Sequence, residues 1–119
     1  MKNRILIVDD EASGREALRA MLEGKGFVVS EAATGEDGLA QMHSFKPDAV
    51  LCDLYLANID GVALLERSRA SGLAAKFIMI AGAGRRSVNA AMELGASGVL
   101  NRPLEFGQVL STIEAVLLS

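Results

Sequence analysis

A single cysteine and a single histidine in 119 residues remove two large classes of site at once. One cysteine forbids an internal disulfide, and one cysteine with one histidine falls short of the four soft ligands of an ordinary structural zinc site. The longest unbroken apolar run is five residues, Phe77 to Ala81, far below the about 20 that cross a membrane as a helix. The apolar stretch behind the charged start, Ile5 to Val8, is too short for the core of a secretion signal. The expectation is therefore a cytoplasmic chain that does not enter the membrane. Positive charge is also scarce: twelve Lys and Arg against fifteen Asp and Glu, a net charge of -3, leave no basic footprint for direct contact with nucleic acid. A length of 119 residues suits one domain, taken as residues 1–119, with any output carried by a separate molecule unless this chain is cut from a longer one. What remains in quantity is carboxylate, and carboxylates are expected to build the site.

Short β-rich apolar runs alternate five times with longer helical stretches. Strands are expected at Arg4–Val8, Phe27–Ala32, Asp48–Cys52, Lys76–Ile80 and Gly98–Leu100, and their nearly continuous apolar character suits a parallel sheet buried on both faces. Helices are expected at about 12–25, 36–45, 61–71, 85–94 and 105–118, which makes βαβ units and, with right-handed crossovers, a doubly wound α/β fold. Gly24 and Gly26 end the first helix, Thr34 with Asp37 offers a capping box for the second, and Gly72, Gly95 and the Asn58–Gly61 segment mark other boundaries. On the last helix Phe106, Val109, Leu110, Ile113 and Leu117 form an apolar stripe, while Gln108, Ser111 and Glu114 face water.

Open parallel sheets bind ligands outside the carboxyl ends of their strands. There the sequence places Asp9, Asp10 and Glu11 after the first strand, Asp53 after the third, Ala81 to Gly84 after the fourth and Asn101-Arg102-Pro103 after the fifth. If the first and third strands are neighbours, Asp9, Asp10 and Asp53 meet, and three such carboxylates repel one another unless a cation sits among them. Hard oxygens in small number point to Mg²⁺. An aspartate nucleophile beside Mg²⁺ and a fixed cation, here Arg102, is equipment for accepting a phosphoryl group. Each residue alone has a plainer use: Asp10 could cap the first helix, Asp53 could begin a turn, and Arg102 could be a surface charge before a turn proline. Their joint occurrence on one edge favours a site. Cys52 reads as core packing and His43 as a surface residue late in its helix. Arg85-Arg86 read as a solvated pair or a contact for a partner. Val88, Ala91, Met92 and Leu94 read as core or as part of a docking face.

In order and spacing these residues resemble the receiver domains of bacterial two-component response regulators over essentially the whole length. The pieces are Ile5-Leu6-Ile7-Val8-Asp9-Asp10-Glu11, Pro47 to Leu54, Asp60-Gly61, Gly95-Ala96-Ser97-Gly98 and Arg102-Pro103. The resemblance implies a flavodoxin-like five-stranded sheet in the order 2-1-3-4-5. It implies Asp53 as phosphoacceptor from a histidine kinase or phosphotransfer protein, and Mg²⁺ held by Asp10, Asp53 and the backbone carbonyl of Tyr55, with Asp9 acting through water. Arg102 stands where the family has a lysine, and the bond before Pro103 is expected to be cis, as it is there. A homodimer through the fourth helix, fifth strand and fifth helix is a further expectation. The chain departs from the family at the parts that read the phosphate: Ala81 stands at the place of a threonine or serine and offers no hydroxyl, and Val99 replaces an aromatic ring. Arginine for lysine puts a planar fork in place of a point charge, and Leu56-Ala57 replaces a frequent Met-Pro.

Three functions follow in order of preference. The first is a phosphoacceptor switch working through protein contacts, assisting its own phosphorylation without being an enzyme in the ordinary sense. The second is an interaction module of the same shape whose output does not depend on phosphate, motivated by Ala81 and Val99. An enzyme on this fold comes last: Asp9-Asp10-Glu11 would repel the phosphate of a flavin, and a two-aspartate phosphatase would carry an acid where Tyr55 stands.

Overall fold

A computed structural model of the chain describes residues 3–82, 86–93 and 95–119. Five strands, β1 (Arg4–Val8), β2 (Val28–Ala32), β3 (Ala49–Asp53), β4 (Lys76–Ala81) and β5 (Gly98–Asn101), alternate with five helices. These are α1 (Ala12–Gly24), α2 (Gly35–Phe45), α3 (Gly61–Ala70), α4 (Arg86–Glu93) and α5 (Phe106–Leu118). The strands form one sheet in the order β2-β1-β3-β4-β5, and every pairing is parallel. This is the doubly wound, flavodoxin-like order that the family resemblance implied.

Strand side chains alternate between two cores. Leu6, Val8, Val50, Cys52, Phe77 and Met79 pack with Met42 of α2, Leu64 and Leu65 of α3 and Ala91 of α4. Ile5, Ile7, Ala49, Leu51, Ile78 and Ile80 pack with Leu18 and Leu22 of α1 and with Val109, Ile113 and Val116 of α5. With both faces covered, the central strands have no polar side to show, which is why their runs read as continuously apolar. On α5 the expected stripe holds at Val109 and Ile113; Val116 joins it, and Phe106 and Leu117 pack on it while partly exposed.

The expected ends differ from the observed ones by a residue or so, and the shifts in β2 and β3 have local causes. Phe27 gives its N–H to Leu22 O, closing the end of α1, so β2 begins one residue later. Asp48 gives its N–H to Arg4 O and takes the Arg4 N–H on its carboxylate at 2.7 Å, an end clasp outside the ladder. Asp53 in turn joins β3, paired with Ile80. At the other boundaries, Lys25 caps α1 with Gly26 at φ 93 behind it, and Thr34 Oγ1 accepts the Asp37 N–H at 3.0 Å to open α2. Of the expected ends of the fourth helix, Arg85 and Leu94 lie outside the described residues.

This topology places the carboxyl ends of β1, β3 and β4 side by side. The chain leaves β1 toward the α1 face and leaves β3 toward the α3 face, so the strand order reverses between them and opens a crevice there.

Candidate functional site

β1 delivers Asp9. Its N–H continues the ladder to Ala32 O at 3.0 Å, while its carbonyl runs out of strand partners. The Asp9 side chain is 2 % exposed and has two partners: Oδ1 accepts from the Glu11 N–H at 2.9 Å and Oδ2 from Arg102 Nη2 at 3.1 Å. Asp10 is exposed, and among the described residues no hydrogen bond or ion pair holds its carboxylate. The helix-capping role open to Asp10 is taken by Glu11, whose carboxylate accepts the Gly14 N–H at 2.8 Å. Asp10 is thus released from local work.

β3 delivers Asp53 as its last residue, nearly buried. Oδ1 accepts the Tyr55 N–H at 2.9 Å, a turn-forming bond of the kind open to an aspartate here, and Oδ2 accepts from Arg102 Nη2 at 3.2 Å. The turn reading of Asp53 holds, and the carboxylate that makes this bond also meets Arg102. One carboxylate oxygen from each of Asp9, Asp10 and Asp53 falls within 4.8 Å of the others. The three aspartates picked out by position along the chain do meet.

Arg102 closes the site from β5. Its backbone N–H bonds to Ala81 O at 3.0 Å, and the Arg102-Pro103 bond is cis. A single Nη2 group bridges Asp9 and Asp53, so the arginine neutralises a carboxylate pair rather than a single aspartate. Ala81 ends β4, buried, one residue past Ile80, the partner of Asp53 in the ladder, and it carries only a methyl group. Val99 lies half-buried against the α2–α4 core. Tyr55 leaves its ring half exposed at the rim.

Electrostatics follow from burial and from this bridge. Burial pushes the Asp53 carboxyl above its ordinary range and the charge of Asp9 adds to the push, while the Tyr55 N–H and Arg102 pull the other way. Burial also opposes the Arg102 charge, but Asp9 and Asp53 outweigh it and hold the guanidinium above its ordinary value. The Cys52 thiol is pushed far up by burial and by Asp53, which makes it inert packing as expected. His43 is exposed. Ala91 is core and Met92 is 47 % exposed, whereas Leu94, Gly84 and Arg85 lie outside the described residues, as does the side chain of Val88.

The donor set is all oxygen and all aspartate, with neither nitrogen nor sulfur. That suits a small hard divalent cation that keeps several waters, such as Mg²⁺, and does not suit zinc or copper. Gly61, named in the sequence as a helix boundary and in the Asp60-Gly61 piece, packs against the end of β3, while Arg15 of α1, whose Nη1 donates to Asp9 O at 2.6 Å, had no place in the sequence reading. The signal for Arg15 was its place one turn after the α1 cap, directly above the end of β1.

A doubly wound sheet with an aspartate cluster and a fixed cation at its switch point is an α/β fold whose crevice could hold a divalent cation. The chain matches the family model described as response regulator receiver domain over residues 5–114, and it belongs to that family. It is 38% identical over 114 residues to the transcriptional regulatory protein ZraR of Salmonella typhimurium, covering 95% of this chain and 26% of that protein. To the transcriptional regulatory protein DltR of Streptococcus agalactiae it is 35% identical over 112 residues, covering 92% of this chain and 50% of that one. Among solved structures, a response regulator receiver domain protein from Methanospirillum hungatei superposes with a TM-score of 0.93 at 30% identity, covering 98% of this chain and 94% of that one. The chain thus spans between about a quarter and a half of the curated relatives it matches. Receiver domains are signalling modules of two-component systems and typically bind Mg²⁺ in an acidic pocket. No helix among the described residues is long and apolar enough to cross a membrane.

Proposed function

We propose that residues 1–119 act as one receiver domain in the cytoplasm that accepts a phosphoryl group on Asp53 from a histidine kinase or phosphotransfer protein and signals through protein contacts. A carboxylate oxygen of Asp53 bonds to phosphorus as the phosphorus–nitrogen bond of a phosphohistidine breaks and the imidazole leaves with the electron pair. The observation that carries this reading is the meeting of Asp53 with Asp9, Asp10 and Arg102 in one crevice.

Asp10, Asp53 and the Tyr55 carbonyl would hold Mg²⁺, with Asp9 reaching it through water. The free carboxylate of Asp10 and the doubly engaged one of Asp9 support that division. The ion, when bound, neutralises charge on the phosphoryl oxygens. Arg102 adds the second cation from the protein. Ala81 supplies no hydroxyl, so its place serves only through backbone; of the following loop Gly82 is exposed, and residues 83 and 84 lie outside the described residues. The face of α4, β5 and α5, where Met92 is exposed, is the proposed surface for a second copy or an output partner.

The test is incubation with a small phosphodonor and Mg²⁺ followed by intact mass. One phosphoryl group per chain is expected on the wild type and none on Asp53→Asn. Equal uptake by both, or none by either, sinks the reading. A second reading, an interaction module independent of phosphate, is favoured by Ala81 and Val99 together. Tyr55, the one tyrosine in a chain without tryptophan, separates the two: Mg²⁺ should change its fluorescence in the wild type and not in Asp10→Ala. A flat response in both favours the module.

A further inference from the structure

The carbonyl of Asp9 stands past the last residue of β1 in the ladder to β3, where Val8 pairs with Cys52. A backbone oxygen left there needs a donor. It finds Arg15 Nη1 at 2.6 Å, across from α1. The same guanidinium gives Nε to Glu31 Oε1 at 2.9 Å, and Glu31 Oε2 accepts Arg19 Nη1 at 2.9 Å from one turn further along α1. Glu31 itself belongs to β2 and pairs with Ile7 of β1. The Arg15 and Glu31 side chains are only 15% and 19% exposed, so this strut is pinned at α1, β2 and the end of β1 and largely shielded from water.

We infer that Arg15 is a positioning residue for the metal-holding end of β1, resting on the Mg²⁺ reading above. The Asp9 carbonyl belongs to the peptide that joins Asp9 to Asp10. Holding that oxygen fixes the peptide plane from which Asp10 departs, and no protein group among the described residues holds the Asp10 carboxylate directly. The planar fork serves both Glu31 and Asp9 at once, which a lysine ammonium cannot do in one fixed plane. Arg15 thereby acts on the ligand Asp10 through the backbone, as outer partners orient ligands at metal sites.

Charge and position predict opposite signs, which makes the test decisive. Removing a positive group near a cation site should by Coulomb attraction alone tighten Mg²⁺ binding. Loss of orientation should weaken it by about 10–100-fold. Titration calorimetry with Mg²⁺ on the full chain, beside melting curves without Mg²⁺ to follow the fold, is expected to show that weakening for Arg15→Met. Arg15→Lys should weaken binding too, because charge without the fork does not hold the plane. Arg15→Gln, a second neutral side chain without the fork, should weaken it as well and keeps the test open if Arg15→Met does not fold. Affinity equal to or tighter than wild type in Arg15→Met, or in Arg15→Gln where Arg15→Met does not fold, overturns the inference, as does full affinity in Arg15→Lys. A wild type that shows no Mg²⁺ binding overturns this inference and the metal reading together.

Discussion

Gly61→Ala is expected to lower the stability of the fold by about 1–3 kcal/mol, as overpacking of a tight contact does. Gly24→Ala, by contrast, should leave stability unchanged or raise it by up to about 1 kcal/mol. Gly61 opens α3 with its Cα turned onto the end of β3. A Cβ there would lie 2.8 Å from Asp53 O, 2.9 Å from Leu54 Cα and 3.3 Å from Met79 Sδ. Two of those neighbours are backbone, and the Gly61 N–H is already bonded to Leu54 O at 3.0 Å, so neither side can move without disturbing the other. Gly24 also lies in a helix, yet nothing stands within 4 Å of its added Cβ, so it controls for the intrinsic gain of alanine in a helix. Because the first atom struck belongs to Asp53, phosphoryl uptake in Gly61→Ala should fall by more than the loss of folded protein explains. Chemical denaturation of the two variants, with uptake scored by mass, checks both parts. Matching behaviour of the two alanines would remove Gly61 from the account of the site.

The sheet was legible because burial on both faces erases alternation: runs such as Arg4 to Val8 and Lys76 to Ile80 leave little room for any other element. The aspartates were legible because the fold confines function to strand ends, so only a few positions needed inspection. What one dimension hid was lateral. Phe27 and Asp48 carry strand-like surroundings but spend their backbone groups on the end of α1 and on Arg4. Glu31 lies on β2, one residue short of its carboxyl end, and reaches the site through Arg15. Arg102 could be named as the cation, but its shared bond to Asp9 depends on how β5 and β1 lie across β3 and β4. No spacing along 93 residues expresses that contact.

Arg102→Met should destabilise the chain at neutral pH and make it bind Mg²⁺ more tightly, two effects from one cause. The variant leaves Asp9, 2 % exposed, and nearly buried Asp53 as adjacent charges without a cation. Removing one partner of a buried pair costs about 3–5 kcal/mol; the guanidinium is 41% exposed and screened by water, which brings the expected loss down to about 1–2 kcal/mol. The pH dependence has a definite sign. Arg102 favours the ionised form of Asp53, so its contribution is present at neutral pH and fades as pH falls and that carboxylate takes up a proton. In its absence the Asp53 carboxyl, already raised by burial, rises further. Melting curves of the variant and the wild type should therefore separate at neutral pH and converge in acid. A gap that persists in acid would assign the loss to packing of the arginine stem. Mg²⁺ supplies the second arm, because the ion, where it binds, would draw on the same Asp9 and Asp53 carboxylates that the guanidinium bridges. Each tenfold gain in affinity adds about 1.4 kcal/mol of stabilisation at saturating ion. Added Mg²⁺ should then raise the melting temperature of Arg102→Met by more than it raises that of the wild type. Equal rises would mean that the arginine yields the site without competition, and that its bridge belongs to the fold rather than to the chemistry of the acceptor.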